Sequence, residues 1–430
     1  MNKLIFFFCF LFCYQAVHAQ QPVPVKPRIL ISTDIGGTDP DDNQSMAHLL
    51  MYSDRFTIEG LVSSPSYGDG SKEEILRMID LYEKDYPKLK RRNKGLNTPA
   101  YLRSVSKQGH RGISPYVGYS RPSEGLDWII KCAQKKSAQP LCILVWGGME
   151  DLAQALHDAP EIRSNIRVYW IGGPNKKWGA NSYAYIARNF PDLWFIENNA
   201  SYRGFFSNSG SSEKLNSNNY FANFIQSAGS LGDDFDNNRY KGNVKMGDTP
   251  SLLYVMDGDP NDPTKESWGG SFEKMPYSPR SIFHGPTTDR DTAHVYAILE
   301  FRFTGPKVDL PRDSACFTMA INASFGEQKW QGYYLGDGEY AIQYAHKQAD
   351  KITYTISSEI PGFQTRTGSL VIDNLWPGKP TSDYFKLGPN WFTDKSAPEL
   401  FDGNWQGAQT IRKWREEVLL DWAKRWEWLR

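Results

Sequence analysis

The sequence ILISTDIGGTDPDD, from Ile29 to Asp42, joins a short apolar run to a loop that carries four aspartates within nine residues. The apolar run predicts a buried strand from Arg28 to Ser32. The four aspartates are Asp34, Asp39, Asp41 and Asp42. Their mutual repulsion must be relieved, and a bound cation is the simplest remedy. Carboxylate oxygens with no His or Cys nearby favour Ca²⁺ over zinc or copper. The alternative is an ordinary turn whose carboxylates splay into water.

Strand-like and helical segments alternate from Arg28 to about Ser201. The predicted strands are Arg28 to Ser32, Thr57 to Ser63, Leu141 to Trp146, Arg167 to Ile171 and Leu193 to Glu197. The predicted helices are Lys72 to Tyr86, Glu124 to Lys136 and Glu150 to His157, with Ser123 capping the second. This order predicts an α/β fold, a mostly parallel sheet with helices on both faces. Ligands bind such sheets at the carboxyl ends of the strands, where the acidic loop falls.

The pattern changes after about Asp291, where short β-prone segments are separated by turn residues such as Gly336-Asp337-Gly338. We therefore expect an α/β domain over residues 20–290 and a smaller β-sandwich-like domain over residues 291–385. Helical periodicity returns from Trp405 to Arg430. Residues 386–430 are expected to form a C-terminal helical segment that packs on the α/β domain.

The first 19 residues have the features of a cleavable signal peptide: Lys3, an apolar run and the small residue Ala19 before the cut site. This predicts a secreted or periplasmic protein without a membrane span. Lys+Arg and Asp+Glu both number 49, so no net field attracts nucleic acid. Three cysteines follow the signal peptide, and their odd number and spacing indicate no disulfide framework. Nothing in the sequence indicates an oligomeric state.

Five stretches, in the same order, resemble a known family. Ser32 to Asp42 is similar to the amino-terminal signature of inosine-uridine-type nucleoside hydrolases, Asp-Thr-Asp-Pro-Gly-X-Asp-Asp. It looks more closely like the nucleoside hydrolase-like domain of bacterial cellulose-binding proteins. The other four stretches are Val145 to Ala153, Ile171 to Gly173, Glu197 to Asn199 and Gly247 to Pro250. The resemblance covers roughly residues 27–275 and predicts a nucleoside hydrolase-like fold.

The resemblance also implies roles for individual residues. Calcium would be held by Asp34, Asp42, the backbone carbonyl of Glu150, and Asp248. In the family the ion binds two sugar hydroxyls and a water, and the residue matching Asp34 takes the water's proton. The residues that would bind sugar hydroxyls are Asp41, Asn181, Glu197 and Asn199. The aromatic residues that could stack on a sugar or base, or simply pack, are Tyr67, Trp146, Trp178, Tyr183 and Tyr202.

Two departures from the family pattern bear on function. The His that protonates a departing base in the family is Gly247 here, and the first Asp of the signature is Ser32. His110 is a loop-borne candidate for the missing acid, whereas His157 is expected to be structural. The sequence therefore supports an exported calcium-dependent glycosidic-bond hydrolase acting on a ribosyl or related sugar. The alternative is a non-catalytic protein that binds cellulose or a plant glycan in the same pocket. The partner in either case is a small sugar, a nucleoside or a glycan fragment.

Overall fold

Two eight-stranded sheets organise the part of the chain that the structure describes. The structure, a computed structural model, describes residues 25–37, 39, 41–66, 68–236 and 241–430. The predicted signal peptide lies outside these ranges, as do Thr38, Pro40 and Tyr67.

The strands follow one another in this order along the chain. They are β1 Arg28–Thr33, β2 Thr57–Ser63, β3 Ser106–Gln108, β4 Leu141–Val145, β5 Ile166–Ile171, β6 Phe195–Asn198, β7 Phe272–Lys274, β8 Tyr277–Ser278, β9 Arg280–Phe283, β10 Thr292–His294, β11 Ile298–Thr304, β12 Ser314–Ala323, β13 Gly326–Gly336, β14 Glu339–Ala345, β15 Asp350–Ser357, β16 Arg366–Asp373, β17 Phe385–Lys386 and β18 Trp391–Asp394.

The α-helices are concentrated in the first 260 residues and at the C-terminus. They are α1 Asp41–Met51, α2 Lys72–Arg92, α3 Pro99–Ser104, α4 Glu124–Ala133, α5 Glu150–Asp158, α6 Pro174–Trp178, α7 Ala180–Asn189, α8 Ser217–Tyr220, α9 Gly229–Asp234, α10 Thr249–Asp257, α11 Gln409–Arg412 and α12 Arg415–Trp426. The predicted cap of α4 is confirmed, because the Ser123 hydroxyl accepts the Leu126 N–H at 3.0 Å. No helix in the described ranges is long and apolar enough to cross a membrane.

The first sheet has the order β3-β2-β1-β4-β5-β6-β18-β7. All neighbours pair in parallel except β18 and β7, which confirms the predicted mostly parallel sheet. From β1, the chain adds β2 and β3 towards one edge and β4, β5 and β6 towards the other. The order thus reverses beside β1, and its carboxyl end adjoins the crevice where open α/β sheets bind ligands.

Both faces of this sheet are buried. In β1, Leu30 belongs to one buried apolar cluster, whereas Ile29 and Ile31 belong to the other. The Leu30 cluster includes α4, α5 and α7 together with the second sheet, and the opposite cluster includes α1, α2, α10 and α12. Each of these fully buried side chains stabilises the fold by about 2 kcal/mol. A strand buried on both faces is apolar at nearly every position, which explains the sequence of β1.

The β-rich region forms one sheet of order β10-β16-β15-β12-β13-β14-β11-β9. Its core is shared with the α/β region, since Ile342 and Tyr344 of β14 lie in the same buried cluster as Tyr183 of α7. The sheet already includes β9, which precedes residue 291. Alternating burial along β15 explains why its sequence predicted a strand.

The C-terminal segment returns to the α/β region in two ways. Trp391–Asp394 adds β18 to the first sheet beside β6, a strand within the stretch expected to be helical. Then α12 buries Trp422 and Trp426 completely in the cluster that contains α1 and α2. Strand β18 has four residues and no helical or polar periodicity, so pairing with β6 determines its conformation.

Candidate active site

The carboxyl end of β1 turns sharply into α1. Gly36 has φ of +92°, which glycine adopts without strain, and the Gly37 N–H donates to the Asp34 carbonyl at 3.1 Å. Helix α1 then begins at Asp41. This turn holds Asp34, at the strand end, close to Asp41 and Asp42 in the first turn of the helix.

A cluster of three carboxylates lies at this edge of the sheet. Asp41, Asp42 and Asp248 each place one oxygen within 4.8 Å of the others. Asp248 immediately precedes α10, and Asp34 lines the same cavity. Burial, together with Asp41 and Asp34, raises the pKa of Asp248 well above its usual range. Acidic side chains from distant parts of the sequence therefore meet beside β1.

The cluster is short of compensating charge. Burial and the nearby Asp41 raise the pKa of Asp34 to about 7. Burial and Asp248 raise the pKa of Asp42 well above its usual range, although the Thr33 hydroxyl donates to it. Among the described residues, Asp248 Oδ2 is buried and has no hydrogen-bond partner. A buried carboxylate oxygen without a partner is costly, and a hard cation would compensate it.

Lys245 supplies counter-charge at one end of the acidic loop only. Its ammonium pairs with Asp39 and lies 3.0 Å from Asp41 Oδ2. Burial raises the pKa of Asp41 to about 6, and Lys245 opposes this rise. Burial opposes the charge of Lys245, but Asp41 and Asp39 outweigh it and raise the lysine pKa. The charge of Asp42 and Asp248 is left without an equivalent partner among the described residues.

Two glycines leave room for the aspartates. A Cβ on Gly147 would lie 2.6 Å from Asp34 Cβ, and a Cβ on Gly247 would overlap Asp41 Oδ2. Any side chain at position 247 would therefore displace Asp41. Glycine at the position of the family's His allows Asp41 to occupy this place beside Lys245.

A cavity of about 360 Å³ opens above the cluster. Two lysines line it in addition to the acidic wall, Lys177 from α6 and Lys347 from the β-rich region. Gln328 of β13 also lines it, so both sheets contribute to one cavity. The aromatic residues of its wall are Trp146, Trp178 and Tyr202. The volume and the mixture of apolar and polar groups suit a small sugar-sized ligand.

Similarity to known proteins identifies the family of this chain. Residues 28–272, more than half of the chain, match the model of a family described as cellulose-binding Sde182, nucleoside hydrolase-like domain. The chain belongs to this family. The resemblance inferred from the five sequence stretches is thereby confirmed. Residues 292–359 match a domain of unknown function, DUF5060. No curated protein matches the chain.

Three solved structures are among those similar to this chain. A nucleoside hydrolase-related protein from Saccharophagus degradans, associated with carbohydrate metabolism, is 19% identical with a TM-score of 0.50, covering 81% of this chain and 100% of its own. An inosine-uridine preferring nucleoside hydrolase from Bacillus anthracis is 14% identical with a TM-score of 0.37, covering 60% and 87%. A purine-preferring ribonucleoside hydrolase from Gardnerella vaginalis is 15% identical with a TM-score of 0.34, covering 58% and 82%. The Sde182 domain of this chain thus has a nucleoside hydrolase-like fold.

The predicted sugar-binding residues Glu197 and Asn199 lie behind the cavity wall. Both are fully buried, and the Lys176 ammonium lies 2.7 Å from Glu197 Oε1. The Tyr183 hydroxyl donates to Glu197 Oε2 at 2.6 Å, and Asn199 Oδ1 accepts the Gly173 N–H at 2.9 Å. The structure brings these residues together as a buried network that supports the Gly173 turn, with no place in the lining of the acidic cavity.

Asn181 and Glu150 form a second buried group. The Asn181 side-chain N–H donates to the Ser114 carbonyl at 2.9 Å, and the Ser182 hydroxyl donates to Glu150 Oε1 at 3.3 Å. Burial raises the pKa of Glu150 to about 8. Asn181 Oδ1 and Glu150 Oε2 have no hydrogen-bond partner among the described residues. Neither residue belongs to the lining of the acidic cavity.

The candidate histidines lie elsewhere. The His110 backbone N–H donates to Asp151, and its ring lines a separate surface cavity with Arg111 and Ser123. The ring of His157 stacks on Tyr119 at 3.6 Å, a packing contact. Within the described ranges, neither imidazole joins the lining of the acidic cavity.

Several lining residues escaped the sequence analysis. Ser66 follows β2 and Asn175 follows β5, and the Ser66 hydroxyl donates to Asn175 Oδ1 at 2.7 Å. Their positions after strand ends could have revealed them, by the argument that selected Asp34. Lys245 could have been inferred from the need to balance the acidic loop. No local signal points to Gln328 or Lys347, because the packing of the β-rich sheet carries them to the cavity.

Proposed function

We propose that this protein is an exported, calcium-dependent hydrolase of glycosidic bonds that acts on a ribosyl or related sugar. The observation that carries the proposal is the cluster of Asp41, Asp42 and Asp248 at the reversal point of the sheet, with one oxygen of Asp248 buried and unpaired among the described residues. Asp34 lines the same cavity. This is where an α/β sheet binds its ligand.

The residues present fit a calcium ion. The carboxylate cluster offers oxygen ligands, and its shortage of positive charge lies on the side away from Lys245. The residues that would hold the ion through their carboxylates are Asp34, Asp42 and Asp248. The family resemblance adds the backbone carbonyl of Glu150, a residue that begins α5 outside the lining of the acidic cavity. When bound, the ion would supply positive charge for the carboxylates and lower the pKa of a bound water.

Asp34 is the proposed general base. In the ion-free protein the pKa of Asp34 is about 7, and an interaction with Ser66 opposes that rise. A bound calcium ion would lower this pKa and keep the carboxylate ionised, as a general base requires. Gly147 carries no side chain and so leaves room for the Asp34 side chain. Asp41 is proposed to accept a hydrogen bond from a sugar hydroxyl, with Lys245 keeping its carboxylate ionised. Three buried residues are proposed to act on the sugar indirectly, by holding neighbouring backbone and side chains in place. They are Glu197, Asn199 and Asn181.

The transition state for cleavage of a glycosidic bond carries positive charge on the sugar ring. Carboxylates preorganised beneath the ring stabilise that charge more than the neutral ground state. The aromatic side chains of the wall, Trp146, Trp178 and Tyr202, would hold the ring in place and exclude water.

A second candidate function is favoured by one observation. Gly247 leaves the family's acid position empty of a side chain, and Asp41 with Lys245 fills the space beside it. A protein that binds cellulose or a plant glycan in this cavity, without turnover, would need no leaving-group acid.

Product release in the presence of calcium separates the two candidates. The substrates are p-nitrophenyl furanosides, nucleosides and plant-glycan fragments, and the variant is Asp34→Asn, with the exposed Asp192→Asn as control. The proposal expects product from the wild type and the control, with at least a hundredfold loss in Asp34→Asn. Saturable binding of these compounds without product would establish the carbohydrate-binding candidate instead.

A further inference from the structure

Three cations line the acidic cavity or the cavity next to it, and none of them forms an ion pair among the described residues. They are Lys177, Lys347 and Arg203. The Lys177 ammonium donates to Gln328 Oε1 at 2.9 Å and lies 4.1 Å from the ring centre of Trp178. Arg203 Nε is buried and has no hydrogen-bond partner in the described ranges. The three cations, the cationic row, therefore have no direct ion pair in the described ranges, although Asp41 and Asp394 contribute to raising the pKa of Arg203.

The cations repel one another. Burial and Lys347 lower the pKa of Lys177 to about 7, and burial and Arg203 lower the pKa of Lys347. The cationic row thus runs from Lys177 through Lys347 to Arg203. An anion placed against the middle of the row would interact favourably with all three groups.

Lys347 joins the acidic cavity to a second cavity of about 280 Å³. Arg203 lines this second cavity, and its guanidinium lies 5.7 Å from the ring centre of Trp405. Side-chain amides of the wall offer hydrogen bonds to hydroxyl groups. They belong to Asn374 and Asn404, whereas the side-chain N–H groups of Gln406 already donate to the carbonyls of Trp376 and Asp394. An aromatic face, amides and a cation are the groups that bind an acidic sugar.

The carboxylate in this cavity, Asp394, forms no ion pair with the row among the described residues. Asp394 accepts the backbone N–H groups of Asn199, Ala200 and Ser201 at 2.9 to 3.0 Å. Burial raises the pKa of Asp394 to about 7, and hydrogen bonds from Ser201, Asn199 and Ala200 oppose this rise. Arg203 is left to donate to the phenol of Tyr296.

We propose that the second cavity is a subsite for a sugar unit that carries an anionic substituent, either the carboxylate of a uronic acid or a sulfate ester. The substituent lies against Lys347 and Arg203, and the neighbouring unit of the same oligosaccharide enters the acidic cavity. The subsite rests on the proposed function, because that function makes the acidic cavity a sugar site. It narrows the substrate class to acidic glycans.

Calorimetry with matched oligosaccharides tests the subsite. The probes are trigalacturonic acid, its carboxyl-reduced neutral counterpart, and a sulfated galactose trisaccharide. The wild type is expected to bind an acidic probe about tenfold or more tightly than the neutral one, because charge-assisted hydrogen bonds strengthen binding. Comparison of the two acidic probes identifies the substituent. Equal affinity for all three probes would overturn the proposal.

Two variants and one control locate the anion. Lys347→Met and Arg203→Met are each expected to remove most of the acidic preference, measured as the ratio of the affinities for the acidic and the neutral probe. Lys351→Met is the control, since Lys351 is exposed and pairs with Asp289. Arg203→Lys keeps the charge and covers the case in which Arg203→Met does not fold. If Lys347→Met kept the full preference for acidic probes, the assignment of the anion to Lys347 would be wrong.

The same titrations in EGTA, and with Asp248→Asn, separate this inference from the proposed function. The acidic preference is expected to persist in both, because Lys347 and Arg203 are not part of the carboxylate cluster. Loss of the preference in both would mean that calcium recognises the anion, which would overturn the subsite. Failure of every probe to release product would count against hydrolysis and leave the measured preference unaffected.

Discussion

The two walls of the acidic cavity differ in how they are built. The wall at β1 comes from one turn, in which Asp34, Asp41 and Asp42 lie within nine residues. The other wall comes from α6 and from the β-rich region, which contributes Gln328 and Lys347. The first wall carries the local signature of its chemistry, whereas the second exists only after two sheets have packed together. We therefore expect the acidic wall to carry the chemistry. We expect the other wall, the recognition wall, to bind the ligand.

The largest expected effect is on calcium affinity at the acidic wall. Asp248→Asn should weaken calcium binding at least a hundredfold, because one ligand of the ion loses its charge. Asp34→Ala and Asp42→Ala should act similarly. Isothermal calorimetry measures the affinities, with Asp192→Asn as the control. If Asp248→Asn bound calcium with unchanged affinity, the proposed calcium site would be wrong.

The Asp248→Asn variant should behave oppositely without calcium. Its amide removes a buried, poorly compensated charge, so the free energy of unfolding in EGTA should rise by about 1 kcal/mol. Thermal unfolding in EGTA measures this change. A less stable variant in EGTA would show that the charge is already compensated in the ion-free protein.

Two glycine substitutions test how tightly the chain packs beside the acidic turn and in the β-rich sheet. Gly147→Ala would place a Cβ 2.6 Å from Asp34 Cβ, and Gly332→Ala would overlap the ring of Phe317 in the β-rich sheet. Each should lower the free energy of unfolding by about 2 kcal/mol. Only Gly147→Ala should weaken calcium binding as well.

The controls are Gly112→Ala and Gly285→Ala, whose added Cβ atoms would meet nothing within 4 Å. Denaturant unfolding and calcium calorimetry measure all four variants. If Gly332→Ala weakened calcium binding as much as Gly147→Ala, the functional separation of the walls would be wrong.

The pH dependence of stability reports on the charge of the acidic wall. Burial, with Asp41, raises the folded-state pKa of Asp34 to about 7, and burial raises that of Asp41 to about 6. The unfolded values lie near 3.9, so the folded protein binds more protons between about pH 4 and pH 7. Without calcium, stability should therefore fall as pH rises through this window.

Unfolding midpoints at pH 5 and pH 8 test this expectation. In EGTA the midpoint should be a few degrees lower at pH 8. Saturating calcium should reduce or reverse this difference, because calcium binds the ionised carboxylates. Midpoints that are equal at both pH values in EGTA would show that the cluster is not under charge strain.

The smallest expected effect is at the recognition wall. Gln328→Ala removes the acceptor of the Lys177 hydrogen bond and should weaken binding of a sugar ligand by about three- to fivefold. Calcium affinity should stay the same. Calorimetry measures both, with the exposed Gln364→Ala as the control. A change in calcium affinity would contradict the separation of the two walls.

Much of the acidic wall could be predicted because its information is local. A buried strand followed by a glycine turn and clustered aspartates indicates both the fold class and the edge of the sheet. The prediction reached Asp248 only through resemblance to a family, since nothing around Gly247 and Asp248 specifies contact with β1. Ser66 and Asn175 follow strand ends in the same way and were within reach of the same argument.

The sequence by itself determined the parallel sheet, the β-rich region and the acidic turn at β1, because hydrophobic periodicity and turn chemistry act over neighbouring residues. Tertiary structure alone decided that Trp391–Asp394 is a strand of the first sheet, that Glu197 and Asn199 lie behind the cavity, and that Lys347 faces it. These outcomes depend on pairing and burial between segments far apart in the chain. Such contacts leave no pattern in the local sequence.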